Sequence, residues 1–202
     1  PEGGSPWHEY GCKLAALWKF YPHPKIAPFL PADWVRKNQE YLLAKVAAVR
    51  KRGLEAFFWT SEPHHMPEAF FRKHPHLRGA RVDHPRRSKV EAFAMCVDHP
   101  ESLEMIEWMA RRLKKNVPEL TGYLVNIDDA GSGVCWSNTL YPGANGPAAC
   151  RHIAIGPRMR TLMDTLRRGL GGDAARVDLH LSGNMPRDQQ EKIRKDFPAD
   201  AF

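Results

Sequence analysis

Asp128 and Asp129 stand side by side in YLVNIDDAGSGVCW (123–136), where an apolar run ends in a glycine-rich turn. Two adjacent carboxylates cannot both ionise freely in a dry cleft, so one tends to keep its proton. A protonated carboxyl beside an ionised one is the equipment for general acid catalysis on an acetal. The pair is either a solvated turn or part of a site that needs carboxylates. A third acid, Glu62, follows the apolar run LEAFFWT (54–60). Helix capping accounts for Asp98, which precedes Pro100. It does not suit Glu62, which precedes Pro63, or the Asp pair, which precedes Ala-Gly-Ser-Gly.

The elements that must position these acids follow from periodicity. Residues 1–33 are dense in proline and aromatic side chains, which excludes long helix and central strand and implies a structured loop packed on something. A helix is expected from about Trp34 to Arg52, capped by Asp33 and stopped by Gly53, with Leu42, Leu43, Val46 and Val49 on its apolar stripe. One helical turn is expected at Pro67–Lys73 within the long loop 64–90, and further helices from Pro100 and over 156–170. Strand-length runs fall at 54–60, 91–97, 122–128 and 176–182. Alternation of strand and helix implies βαβ units and a parallel sheet, either doubly wound or part of a (β/α)₈ barrel. The chain has too few strands to close a barrel. It therefore reads as a single α/β domain over 1–202, an incomplete arc of a TIM-type barrel with long βα loops.

In either architecture chemistry belongs at the carboxyl ends of the strands. Period-2 alternation puts Tyr123, Val125 and Ile127 on one face and Leu124, Asn126 and Asp128 on the other. Asn126 and Asp128 then point to a polar interior, and Asp129 lies just past the strand. Trp59, Trp136, Trp7, Tyr141 and His65 are flat, amphipathic groups that suit the apolar face of a pyranose; for Trp59 and Trp136 the alternative is rim packing. His64, Asn126 and Asn145 complete the expected substrate contacts. The loop RGARVDHPRRS (78–88) adds Arg86 and Arg87. Either its arginines pair with Asp83, Glu91 and neighbouring acids, or their planar forks receive the anion of an acidic sugar.

Composition removes other classes. A hydrophobic fraction of 43% and a charged fraction of 26% are those of an ordinary globular protein. No apolar run approaches the roughly 20 residues of a membrane span, so no membrane partner is expected. The net charge of +7 suggests nucleic acid, but Arg111, Arg112, Lys114 and Lys115 are interleaved with Glu101, Glu104 and Glu107 on one solvated helix face. No nucleic-acid partner is expected. Cys12, Cys96, Cys135 and Cys150 form no C-x-x-C pair, which excludes a zinc ribbon. Cys96 reads as a small buried hydrophobe; Cys135 and Cys150 bracket one loop, bridged or free. His74 and His76 follow a helical turn, a poor position for a barrel metal, so neither metal nor cofactor is expected. A metal-dependent hydrolase and a non-catalytic carbohydrate-binding barrel are the competing readings.

RGLEAFFWTSEPHHMP followed by VPELTGYLVNIDDAG resembles the central barrel strands of β-hexosaminidase- and α-glucuronidase-type glycoside hydrolases. RVDHPRRS, CVDHPE and LYPGANGP are similar to a bacterial barrel family related to them. The resemblance covers roughly residues 40 to 150 and implies a glycosidase acting on a carbohydrate. It implies Asp129 as general acid and Asp128 as its substrate-orienting partner. The hexosaminidase pattern has Asp-Glu where this chain has Asp-Asp, so the N-acetyl substrate and the substrate-assisted mechanism do not transfer.

Overall fold

The structure, a computed structural model, describes residues 14–127, 129, 131–138, 141 and 145–197. In chain order the elements are α1 (Leu17–Phe20), α2 (Ala32–Arg50), β1 (Phe57–Ser61), β2 (His65–Met66), α3 (Glu68–Lys73), β3 (Arg78–Arg81), β4 (Phe93–Met95), α4 (Pro100–Asn116), β5 (Gly122–Ile127), α5 (Ile155–Leu170), β6 (Val177–Leu181) and α6 (Arg187–Lys195). The fold is mixed α/β.

β1, β5 and β6 form a parallel sheet in that spatial order, as the sequence predicts for the runs at 54–60, 122–128 and 176–182. Trp59 lies opposite Leu124, which lies opposite Asp178; Ser61, Asn126 and His180 make the next shared row. Because side chains alternate across a strand, each row projects to one face. Phe58, Thr60, Tyr123, Val125, Ile127, Val177, Leu179 and Leu181 are buried and form the core face of the sheet. Helices α4 and α5 carry the matching stripes. Met105, Ile106, Met109 and Leu113 on α4 and Met159, Leu162, Met163 and Leu166 on α5 are each at most 1% exposed. Removing such a side chain to alanine costs about 2–5 kcal/mol.

The other face is open in its lower rows. Phe57 and Trp59 are exposed, the Phe57 ring covers the bare Cα of Gly122, and the Arg176 guanidinium stacks on that ring at 4.7 Å. Among the described residues no helix is long and apolar enough to cross a membrane.

Three expectations need correction. The run at 91–97 is not a member of the parallel series. Only Phe93–Met95 is strand, and it pairs antiparallel with β2 and β3 in a second sheet of order β2-β4-β3. That sheet is built entirely inside the connection from β1 to α4. α2 starts at Ala32 behind Pro31, and Asp33 sits in its first turn without capping it. Asp98 does not cap α4 either. His99 does, its Nδ1 accepting from Glu101 N, while Asp98 pairs with Arg158. The proline-rich stretch packs as expected from Leu14 onward: Trp18 is buried, and Phe20 meets Phe58 edge-on at 5.4 Å.

Candidate functional site

The connection after β1 and the loop after β5 are stitched together over the carboxyl end of the parallel sheet. His65 N donates to Gly131 O at 2.7 Å, Gly131 N to Val82 O at 2.7 Å and Gly133 N to Pro63 O at 3.2 Å. His64 and Ser132 form a bridge, and Arg81 N donates to Asn145 O at 3.3 Å. Asp129 is half-buried on this rim, its carbonyl accepting from Ser132 N. Asp128 and Trp7, both named as site residues from sequence, lie outside the described residues.

Glu62 sits just past β1 and is 1% exposed. One carboxylate oxygen accepts from Leu17 N at 2.7 Å and Thr60 Oγ1 at 3.1 Å, the other from His64 N at 3.3 Å. Burial pushes this carboxyl up to about 7, against the pull of those donors and of Lys19. His65 is buried beside it, and burial, reinforced by Lys19, holds the imidazole down to about 3. Trp18 packs edge-on against both His64 and His65 at about 6 Å between ring centres. Glu62 thus ties the 14–18 segment to the strand end.

The pair has a consequence for stability. Glu62 in the fold lies above its ordinary 4.5, so its contribution is full below pH 4.5 and is lost as pH rises through about 7. His65 lies below its ordinary 6.5, so its contribution is full above pH 6.5 and is lost as pH falls through about 3. Between pH 4.5 and 6.5 the two slopes oppose each other and these groups leave stability nearly flat. In Glu62→Gln only the His65 slope remains, and stability should rise by roughly 3 kcal/mol across that window relative to wild type. Urea midpoints at several pH values measure this; parallel curves for the two proteins would refute it.

Asn126, on the middle strand, is 2% exposed. Its Oδ1 lies 2.7 Å from His180 Nδ1 on β6, and its buried Nδ2 has no hydrogen-bond partner among the described residues. A buried amide donor without a partner costs about 1–3 kcal/mol. Trp59 occupies the row below on the neighbouring strand, 49% exposed on the same face. His180 was not singled out from sequence. The alternation of RVDLHLS, with Asp178 and His180 between apolar residues, was the available signal.

Tyr141 donates its hydroxyl to Asp83 Oδ2 at 2.6 Å, and the Arg81 guanidinium covers its ring at 4.5 Å. Burial first, and then Asp83, push that phenol up to about 12. Arg81 also pairs with Asp83 and Glu91, and Arg78 with Glu68. Arg86 and Arg87 are exposed in the turn at His84–Ser88. Trp136 has a positive φ of 64°, a strained backbone for an aromatic residue. Asn145 holds it there: Oδ1 accepts from Trp136 N at 2.7 Å and Nδ2 donates to Ser137 O at 2.6 Å. Asn145 is buried, and these two bonds organise the loop. Trp136 Nε1 donates to Pro147 O, and Arg151 stacks on the ring at 5.1 Å. Exposed His76 pairs with half-buried Glu101 at 3.0 Å.

No protein-family model matches this sequence, and a search of curated proteins finds no relative.

Proposed function

We propose that the chain is an arc of a (β/α)₈ barrel of the glycoside hydrolase type, and that its strand-end rim hydrolyses a glycosidic bond. The observation that carries this reading is the exposed Trp59 ring, with the hydrogen-bonded Asn126–His180 pair one row above it on the same face of the strand ends. The exposed Trp59 ring one row below offers the flat apolar surface that a pyranose face requires. Asp129, three residues beyond Asn126, is half-buried on the rim where a proton donor to the leaving oxygen is needed.

In this reading the glycosidic C–O bond breaks as Asp129 delivers its proton to the leaving-group oxygen. Water adds to the anomeric carbon and returns a proton to the site. Asp128 is the orienting partner that the family resemblance implies. Glu62, enclosed by Leu17, Thr60 and His64, is a positioning residue: it fixes the turn that carries His64 and His65.

Hydrolysis of a panel of neutral and acidic aryl glycosides tests the reading, with turnover of at least one member expected. Binding without turnover would replace it with a carbohydrate-binding function. The same panel tests the exposed Arg86. Arg86→Ala should cost acidic glycosides roughly 2–3 kcal/mol in transition-state binding and leave neutral ones unchanged. Equal losses on both would reduce Arg86 to loop support.

A further inference from the structure

Three thiols and a carboxylate meet beside the loop that carries Trp136. Cys96 and Asp98 follow β4, Cys135 lies in the loop after β5, and Cys150 ends the short 3₁₀ turn Ala148–Cys150. Their Sγ atoms and one carboxylate oxygen all lie within 4.8 Å of one another. Cys96 Sγ is 3.9 Å from Cys135 Sγ and 3.9 Å from Asp98 Oδ2. The three cysteines are buried and none is bridged. We propose that Cys96, Cys135, Cys150 and Asp98 form a structural site for a single zinc ion.

Size comes first. Thiolates around a tetrahedral ion with metal–sulfur bonds of about 2.3 Å stand about 3.8 Å apart. The 3.9 Å between the Cys96 and Cys135 sulfurs matches that spacing, and every other ligand pair lies within 4.8 Å, a short contraction from it. An iron–sulfur cluster would have to fit inside the same set of thiols and would drive them much farther apart. A disulfide would draw in two sulfurs to about 2 Å, leaving the third thiol and the carboxylate without a role. Ligand type comes second. Three thiolates with one carboxylate favour a borderline-soft ion such as zinc over magnesium or calcium. All four positions are filled by protein and the cysteines are at most 5% exposed, which is the closed arrangement of a structural site rather than a catalytic one.

Arg158 supplies the second shell. It is 2% exposed. Its Nε lies 3.0 Å from Asp98 Oδ1 and 2.8 Å from Oδ2. One terminal nitrogen donates to Cys150 O at 2.7 Å and the other to Cys135 O. The side chain therefore orients three of the four ligand residues. Zinc with three thiolates and a carboxylate carries a net charge of −2, which the guanidinium halves. Ligating carboxylates are characteristically held this way. Close packing sets the remaining distance: a Cβ on Gly146 would fall 2.6 Å from Cys135 Cβ, so only glycine lets that strand of the loop approach. The ion would pin the loop carrying Asp129 and Trp136 to the small antiparallel sheet and to the start of α5.

The purified chain, kept reduced, should contain about one zinc per chain by elemental analysis. Cobalt in its place should give the strong visible bands of a tetrahedral ion, with thiolate-to-cobalt charge transfer in the near ultraviolet. Zinc should protect Cys96, Cys135 and Cys150 together from alkylation in the wild-type protein, an outcome that needs no variant to fold. Cys135→Ser should lose the ion, and Asp98→Asn, which keeps the side-chain volume, should weaken zinc affinity at least about tenfold. Failure of the reduced protein to bind either zinc or cobalt stoichiometrically would overturn the site. So would unchanged zinc affinity in both variants, or a disulfide between two of these cysteines in freshly isolated protein.

Discussion

Asp129→Asn should lower turnover of the best glycoside by roughly 10²–10⁴-fold, the range that a positioned general acid contributes. Asparagine keeps the size of the side chain and its rim position but has no proton to give to the leaving oxygen. Glu62→Gln should behave differently. Its carboxyl is enclosed by Leu17, Thr60 and His64, so the amide swap disturbs the His64 N–H contact and the placement of the turn. A smaller activity loss is expected, together with the altered pH dependence of stability. A Glu62→Gln loss as large as that of Asp129→Asn, with stability unchanged at every pH, would make Glu62 the proton donor instead.

In the metal-free protein, Arg158→Met should destabilise the chain by about 3–5 kcal/mol. Methionine fills much of the same volume, but Asp98 is left as a nearly buried, uncompensated carboxylate, and the carbonyls of Cys135 and Cys150 lose a charged donor. Replacing both partners, Arg158→Met with Asp98→Asn, should recover part of that loss, because no buried charge then remains. Chemical denaturation of the single and double variants separates the two contributions. A single-variant loss under about 1 kcal/mol would mean that the pair is solvated like a surface ion pair.

Parts of this molecule were legible because period and burial agree. β1, β5 and β6 are apolar on one face with a broken pattern on the other, and α4 and α5 carry continuous stripes, so each local choice matches the fold. The antiparallel sheet was not legible. β2 has two residues and β4 three, too few to establish an alternation, and their pairing depends on a loop returning over the strand ends. α6 was missed because its two buried residues, Gln189 and Ile193, stand among seven polar ones. At the site, Glu62, Asn126 and Asp129 followed from strand-end position, whereas the roles of Tyr141 and Asn145 required tertiary partners, Asp83 and the Trp136 backbone. The Cys96–Cys135–Cys150 group escaped sequence reading for the same reason. Cys96 stands 39 residues before Cys135 and meets the loop bracketed by Cys135 and Cys150 only in the tertiary fold, where Arg158 of α5 bonds to both of those residues.

The most direct test of the proposed hydrolysis is leaving-group dependence. Aryl glycosides of one sugar, differing only in the acidity of the released phenol, are hydrolysed by wild type and by Asp129→Asn. Wild-type rates should depend weakly on the phenol, since Asp129 protonates the departing oxygen. The variant should be steeply dependent, nearly normal with the most acidic phenols and severely impaired with the least acidic. Equal dependence in both proteins would contradict a proton-donating Asp129. Absence of hydrolysis for every glycoside by the wild-type protein would contradict the glycosidase reading itself.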